Sequence, residues 1–303
     1  MRHGQYRFIV GFLILPLALY ALFVISPFIQ AFYYSLTNWT GVSPQFDVIG
    51  LANFRNLLQD SLFLRAVRNN LVLLVAMPLA VILLALFYAF LLNVGGRGAG
   101  AGVSGVRGSG FYKLVFFLPQ VLSVPVIAVI WAVILDPTPS GLANSVLRAV
   151  GLGSLEWLAD PNLALYCVLW VLVWGSVGFY LVLFNAAMSS IPRDLFEAAL
   201  IDGAGRVATF FRVTMPLLWD TIQTSWVYLA VLALDVYALV AVMTAGPGGP
   251  ANSTQVLSLQ IAQNGFQFGR AGYASAMGVV LFFFTLLIAA IMLRATRRER
   301  IEY

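Results

Sequence analysis

Few residues in this 303-residue sequence can do covalent or metal chemistry, and their positions limit what is left. There is one histidine, His3, and one cysteine, Cys167, inside an apolar run. A lone thiol forms no intrachain disulfide and no thiolate cluster for a metal. The one lysine, Lys113, follows Tyr112, so the Gly-Lys-Ser/Thr phosphate loop is missing. No catalytic residue is assigned, no cofactor is expected in this chain, and any ATP-driven work falls to a partner. A literal GxGxxG at Gly100–Gly105 stands between two apolar runs, where no strand can precede it, so it is no dinucleotide fingerprint. No HExxH and no paired intramembrane carboxylates occur. What remains is non-covalent. Ser225, Tyr228, Leu232 and Asp235 have the spacing of one helical face. A carboxylate deep in a membrane helix costs roughly 2.5–3.5 kcal/mol, so Asp235 faces a cavity or a partner, or else reaches water at an interface. Trp174, Ser176 and Tyr180 offer a second set of aromatic faces and hydroxyls.

The elements that must hold these residues are membrane helices. Hydrophobic residues make up 61% of the chain and charged residues 10%, against about 45–50% and about 25% in soluble domains. Such a chain cannot hide its apolar side chains in one core. A soluble enzyme, a disordered chain and a disulfide scaffold are excluded. Six runs approach the roughly 20 apolar residues that cross a bilayer: 8–35, 69–94, 114–135, 163–187, 217–243 and 272–293. The first is expected to be a retained helix, kinked near Pro16, rather than a cleaved signal. Pro78, Pro119 and Pro125 lie inside the second and third runs, where neighbouring helices can satisfy the freed carbonyls. With the N-terminus inside, twelve of the seventeen basic residues fall on inner segments, which places both termini in the cytoplasm. The net charge of +5 follows this orientation and points to the lipid bilayer, not to nucleic acid.

The loops differ in character. The first outer loop, 36–68, carries the apolar anchors Trp39, Phe46, Phe54, Leu57 and Leu58. The second, 136–162, holds Asp136, Glu156 and Asp160. The inner stretch 95–110 has eight glycines in sixteen residues and reads as a flexible connector. Segment 188–216 reads as two short helices joined by a glycine turn. Ser190 can cap the first helix, Pro192 fits its first turn, and Asp194 and Glu197 favour the positive end of its dipole. Gly203 and Gly205 end it, and a second helix spans about 206–213 before Pro216 starts the fifth run. Such a knuckle is a docking element. The division read from the sequence is 1–68, then 69–293 with the knuckle inside it, then a basic tail 294–303.

Glu197-Ala198-Ala199, Asp202-Gly203-Ala204, Phe210 and Met215-Pro216 resemble the EAA loop of binding-protein-dependent ABC import permeases. Gly50-Leu51-Ala52-Asn53-Phe54, Arg68-Asn69-Asn70, Phe117-Leu118-Pro119, Gly141-Leu142-Ala143-Asn144 and Glu156-Trp157-Leu158 resemble stretches of the carbohydrate permeases of the maltose and glycerol-phosphate type. So do Met243–Pro247 and Gly272–Ala276. Where that family often has Phe-Asp, this chain has Tyr237-Ala238, with an acid three residues before the alanine at Asp235.

The resemblance implies an all-α polytopic permease of type I importer fold with six spans. It implies a second permease subunit, two cytoplasmic ATPase subunits that bind ATP and Mg, and an extracytoplasmic solute-binding protein. The loop would seat in a groove of an ATPase subunit, with Glu197 beside a basic residue there. Ala198, Ala199, Asp202, Gly203 and Pro216 complete the docking set. Sugar contacts would come from the fourth and fifth spans: Trp174, Ser176, Tyr180, Ser225, Tyr228 and Asp235. Aromatic faces stack on sugar C–H faces while hydroxyls fix the edges. The competing class is a proton- or ion-coupled secondary transporter that uses Asp235 as its relay, although no half-to-half repeat is visible.

Overall fold

The computed structural model describes residues 3–94, 108–244, 246 and 248–295. The GxGxxG stretch, most of the glycine-rich connector, Ala245, Pro247 and the tail from 296 lie outside the described residues. In chain order the helices are α1 His3–Tyr20, α2 Ser26–Tyr34, α3 Ala52–Leu57, α4 Ser61–Val94, α5 Ser109–Val121 and α6 Val124–Ile134. They continue with α7 Leu142–Ala149, α8 Ala164–Ser189, α9 Arg193–Ile201, α10 Arg206–Thr209, α11 Met215–Leu217 and α12 Trp219–Leu234. The last are α13 Tyr237–Met243, α14 Leu257–Ala262 and α15 Ala271–Ala295. Among the described residues the only β-pairing is a single bridge, Thr37 to Val48. The chain is all-α.

Four helical stretches are long and apolar enough to cross a membrane unbroken, and two bent pairs bring the number to six if each pair is one crossing. The bends correct the sequence reading. The third run is not one helix: α5 and α6 meet at 100°. Leu122 and Ser123 are extended there, with ψ of 142° and 146°, and Pro125 sits in the first turn of α6. A proline is tolerated at a helix start because the N–H it lacks has no intrahelical partner anyway. The fifth run breaks twice. It bends by 67° at Leu218, and α12 stops at Leu234 because Asp235 adopts φ −110°, ψ 65°. In the first run Pro16 stays inside regular α1, and the irregularity is a π turn over Ala21–Ile25. There the Ser26 N–H reaches back five residues to the Ala21 carbonyl.

The chain forms two compact units. The first comprises Met1–Leu64 and Gln260–Phe284. Its loop after α2 is built on aromatic contacts and one buried amide. Trp39 stacks on Tyr34 at 4.0 Å, and Phe46 packs edge-on to Tyr34 at 5.9 Å. Asn53 donates to the Ser35 and Thr37 carbonyls at 2.9 and 2.8 Å. The Tyr273 hydroxyl donates to Asp60 at 2.8 Å. Trp39, Phe46 and Leu57 serve as the anchors expected, but Leu58, the residue that follows α3, is exposed.

The second unit, Arg65–Leu259 and Thr285–Tyr303, holds the main core. Leu73, Met77, Val81 and Ala85 of α4, spaced four apart, are fully buried, and so are Val168, Leu181 and Phe184 of α8. They form one cluster with Leu229 and Ala233 of α12 and Val240 of α13. Close packing of α5 on α8 depends on Gly178, because a Cβ there would run into the Phe116 carbonyl.

Candidate functional site

The knuckle is built much as its residues dictate. Helix α9 has Asp194 in its first turn and closes at Asp202. Gly203 then takes φ +74°, while the Gly203 and Ala204 N–H groups bond to the Leu200 and Ala199 carbonyls at 3.0 and 2.9 Å. This is the left-handed glycine stop that satisfies the last carbonyls of a helix. Gly205 plays a different part from the one expected: with φ −71° and ψ 163° it is the extended residue before α10. Ser190 does not cap α9 either. Its hydroxyl donates to the Ala187 carbonyl at 2.8 Å and so belongs to the end of α8, two residues before Pro192 takes the cap position. The second helix is shorter than 206–213, since α10 passes into a π turn over Phe210–Thr214 and then α11, which contains Pro216.

The knuckle presents apolar surface outward. Glu197, Ala198 and Asp202 are exposed, and Ala199 is half-buried. Ile201 is 85% exposed, with Leu200, Val207 and Phe211 also exposed. Among the described residues Glu197 has no hydrogen-bond or ion-pair partner. The returning end is anchored: Phe210 is buried and packs edge-on to Phe90 of α4 at 4.7 Å.

The residues expected to line a path are not drawn into one stripe. Ser225 is buried and donates to the Thr221 carbonyl of its own helix at 2.7 Å. Tyr228 and Leu232 are exposed. Asp235 is exposed but lies beyond the end of α12, so helical spacing no longer sets its direction. On α8, Ser176 and Tyr180 are buried, while Trp174 is part-exposed and meets Trp131 of α6 edge-on at 5.3 Å.

Buried amides organise the loops at the other ends of these helices, and the sequence reading gave them no role. Asn70 donates to the Ala233 carbonyl at 3.1 Å and accepts the Leu257 N–H at 2.8 Å. Asn69 donates to the Ser253 and Gln255 carbonyls, each at 2.8 Å. Arg65 reaches the Ala251 carbonyl at 2.5 Å. Ala233 lies next to the break at Asp235, so Asn70 supplies a donor where the helix no longer does. The signal for this was present: two adjacent amides at the start of an apolar run need partners.

Asn144 does the same for segment 136–157. It is fully buried; its NH2 faces the Asp136, Pro137, Thr138 and Leu155 carbonyls, and its oxygen accepts from the Leu155 N–H and the Trp157 indole at 3.0 and 2.9 Å. Beside it, bonds from the Thr138 hydroxyl and N–H hold the Asp136 carboxyl below its usual range. Asn144→Ala is expected to release this loop, at a cost of about 2–3 kcal/mol from unpaired buried groups. Limited proteolysis would show new cleavage within 136–157, and an unchanged digest would refute the assignment.

The geometry can be set against known proteins. Residues 50–301 match the model of the binding-protein-dependent transport system inner membrane component. This chain belongs to that family. The permease is 41% identical over 293 residues to the diacetylchitobiose uptake system permease protein NgcF of Streptomyces coelicolor, covering 96% of this chain and 82% of that protein. It is 32% identical over 289 residues to the multiple sugar-binding transport system permease protein MsmF of Streptococcus mutans, covering 95% and 94%. Its fold is similar to that of a chain in the crystal structure of a bacterial ABC transporter involved in the import of the acidic polysaccharide alginate. The TM-score is 0.79 at 24% identity, over 97% of this chain and 96% of that one. The permease is therefore a multi-pass membrane subunit of an ABC importer and not an enzyme.

Proposed function

We propose that this permease moves a carbohydrate across the cell membrane, with the knuckle Arg193–Leu217 as the seat for a cytoplasmic ATPase subunit. The observation that most supports docking is the exposed apolar surface of Leu200, Ile201, Val207 and Phe211 on the same knuckle as the exposed Glu197. An exposed ion pair contributes under about 1 kcal/mol, so the apolar contacts carry the affinity and Glu197 sets the register. Relatives named for diacetylchitobiose and for multiple sugars favour a sugar, and an N-acetylated disaccharide is the first to try. The distribution of basic residues favours cytoplasmic termini. Two ATPase subunits would bind ATP and Mg, a second permease would complete the pathway, and a solute-binding protein would deliver the sugar from outside. Trp174 and Tyr228, both on exposed faces, are the first aromatic residues to test for sugar contact, with Asp235 as a hydrogen-bonding partner. Transport follows from each ligand favouring one state of the assembly: ATP closes the ATPase pair and opens the cavity outward, and hydrolysis returns it inward.

Gly203 provides the test. A Cβ at Gly203 meets no neighbour, yet φ is +74°, so the penalty of a side chain is conformational and not steric. Gly203→Val should leave the chain inserted and abolish ATPase stimulation by the binding protein, whereas Gly203→Asn should retain most of it, because asparagine tolerates the left-handed region. Normal coupled uptake of labelled diacetylchitobiose by Gly203→Val would overturn the docking role. Uptake that persists without the ATPase and collapses with a protonophore would favour an ion-coupled carrier.

A further inference from the structure

We propose that Phe90 and Asn93 of α4 form the joint through which the knuckle moves the membrane helices; this rests on the docking role proposed above. Two chain segments connect the knuckle to the rest of the second unit, α8 leading in and the π turn Phe210–Thr214 leading out. The end of α4 holds both. Asn93 donates to the Asn185 side-chain oxygen of α8 at 3.0 Å and to Met188 Sδ at 3.4 Å. Three residues back, on the same face, Phe90 packs edge-on to Phe210 at 4.7 Å. Helix α9 itself buries no residue, so it has no comparable hold elsewhere in the described chain.

The opposite end of α4 carries the second set of holds. Arg65, Asn69 and Asn70 grip Ala251, Ser253, Gln255 and Leu257, and Asn70 also takes the Ala233 carbonyl beside the break in the fifth crossing. Asn70 and Asn93 are roughly 35 Å apart along an unbroken helix at 1.5 Å per residue. A displacement of the knuckle therefore enters α4 through Phe90 and Asn93 and leaves it at the broken helix. Packed contacts of this kind switch between discrete arrangements and do not deform smoothly, so a small shift at the knuckle is passed on. The role of Phe90 and Asn93 is positional: neither touches nucleotide or solute.

The test uses the complete importer in proteoliposomes, with labelled diacetylchitobiose and its binding protein. Phe90→Ala and Asn93→Leu are compared with Phe90→Leu and Asn93→Gln. The readouts are ATPase subunit recovered with the chain, ATP hydrolysis rate, and sugar accumulated per ATP hydrolysed. Both severe variants should recover ATPase normally and hydrolyse ATP within about twofold of wild type. Sugar per ATP should fall roughly fivefold, in line with the loss of one edge-to-face pair or one amide bond, and the conservative variants should regain at least half of it. An unchanged ratio in the severe variants overturns the joint while leaving docking intact. Loss of ATPase from all four variants also overturns it, since a joint transmits force and does not hold the assembly together. A wild-type chain that recovers no ATPase removes the docking role and the joint with it.

Discussion

Gly178→Val is expected to prevent recovery of a folded permease. Gly178 lies in α8 where α5 crosses, and a side chain there would collide with the backbone of Phe116 and Phe117. Backbone cannot swing aside as a rotamer can, so relief requires the two helices to part along their contact. Overpacked cores usually lose about 1–3 kcal/mol through side-chain adjustment alone; with that route closed, the loss should exceed about 3 kcal/mol. The control is three residues away on the same helix. At Gly175 the nearest atom to a new Cβ is a terminal carbon of Ile127 at 3.9 Å, an ordinary contact. Gly175→Ala should therefore behave like wild type in size-exclusion profile and thermal midpoint, while Gly178→Val aggregates or is not recovered. Equal behaviour of the two variants would show that the α5–α8 approach is looser than described.

Asn70→Leu should be the most damaging of the polar substitutions. Leucine has nearly the same shape as asparagine but can neither donate to the Ala233 carbonyl nor accept from the Leu257 N–H. Both groups are buried where water cannot replace the lost partner, and each unmet group costs about 1–3 kcal/mol. A loss of about 2–5 kcal/mol follows, seen as a lower thermal midpoint of the purified protein. Asn69→Leu removes donors only, and a carbonyl with two lone pairs tolerates this better, so its effect should be smaller. If Asn69→Leu proved the more severe variant, the clasp would depend on the 253–255 loop and not on the broken helix.

Hydropathy located the membrane runs because an uninterrupted stretch of about twenty apolar residues is rarely stable anywhere but in a bilayer. It could not show where the runs break, since the break depends on backbone angles at Leu122, Ser123 and Asp235, and none of these is a glycine or proline. The prolines were visible but misleading: Pro16 stays inside a regular helix, and Pro125 opens one. The knuckle was legible for the opposite reason. Gly203 after an amphipathic turn with an early aspartate has a local meaning that tertiary packing did not override. Ser190 was misread because a hydroxyl can serve the helix behind it as well as the one ahead. The stripe through Ser225 and Asp235 assumed a helix that continues, and α12 does not reach its last member. Asn53 and Asn144 carry no pattern that announces a clasp, because their partners are carbonyls brought close only by the fold.

The length of α4 has a consequence for the lipid around it. Thirty-four residues extend about 51 Å, while the hydrocarbon core of a bilayer is about 30 Å thick. The surplus must be taken up by tilt or by projection into the headgroup layer. A helix with that much excess can shift its register in thicker or thinner membranes without dragging its charged first turns into the acyl region, so hydrophobic mismatch places little strain on it.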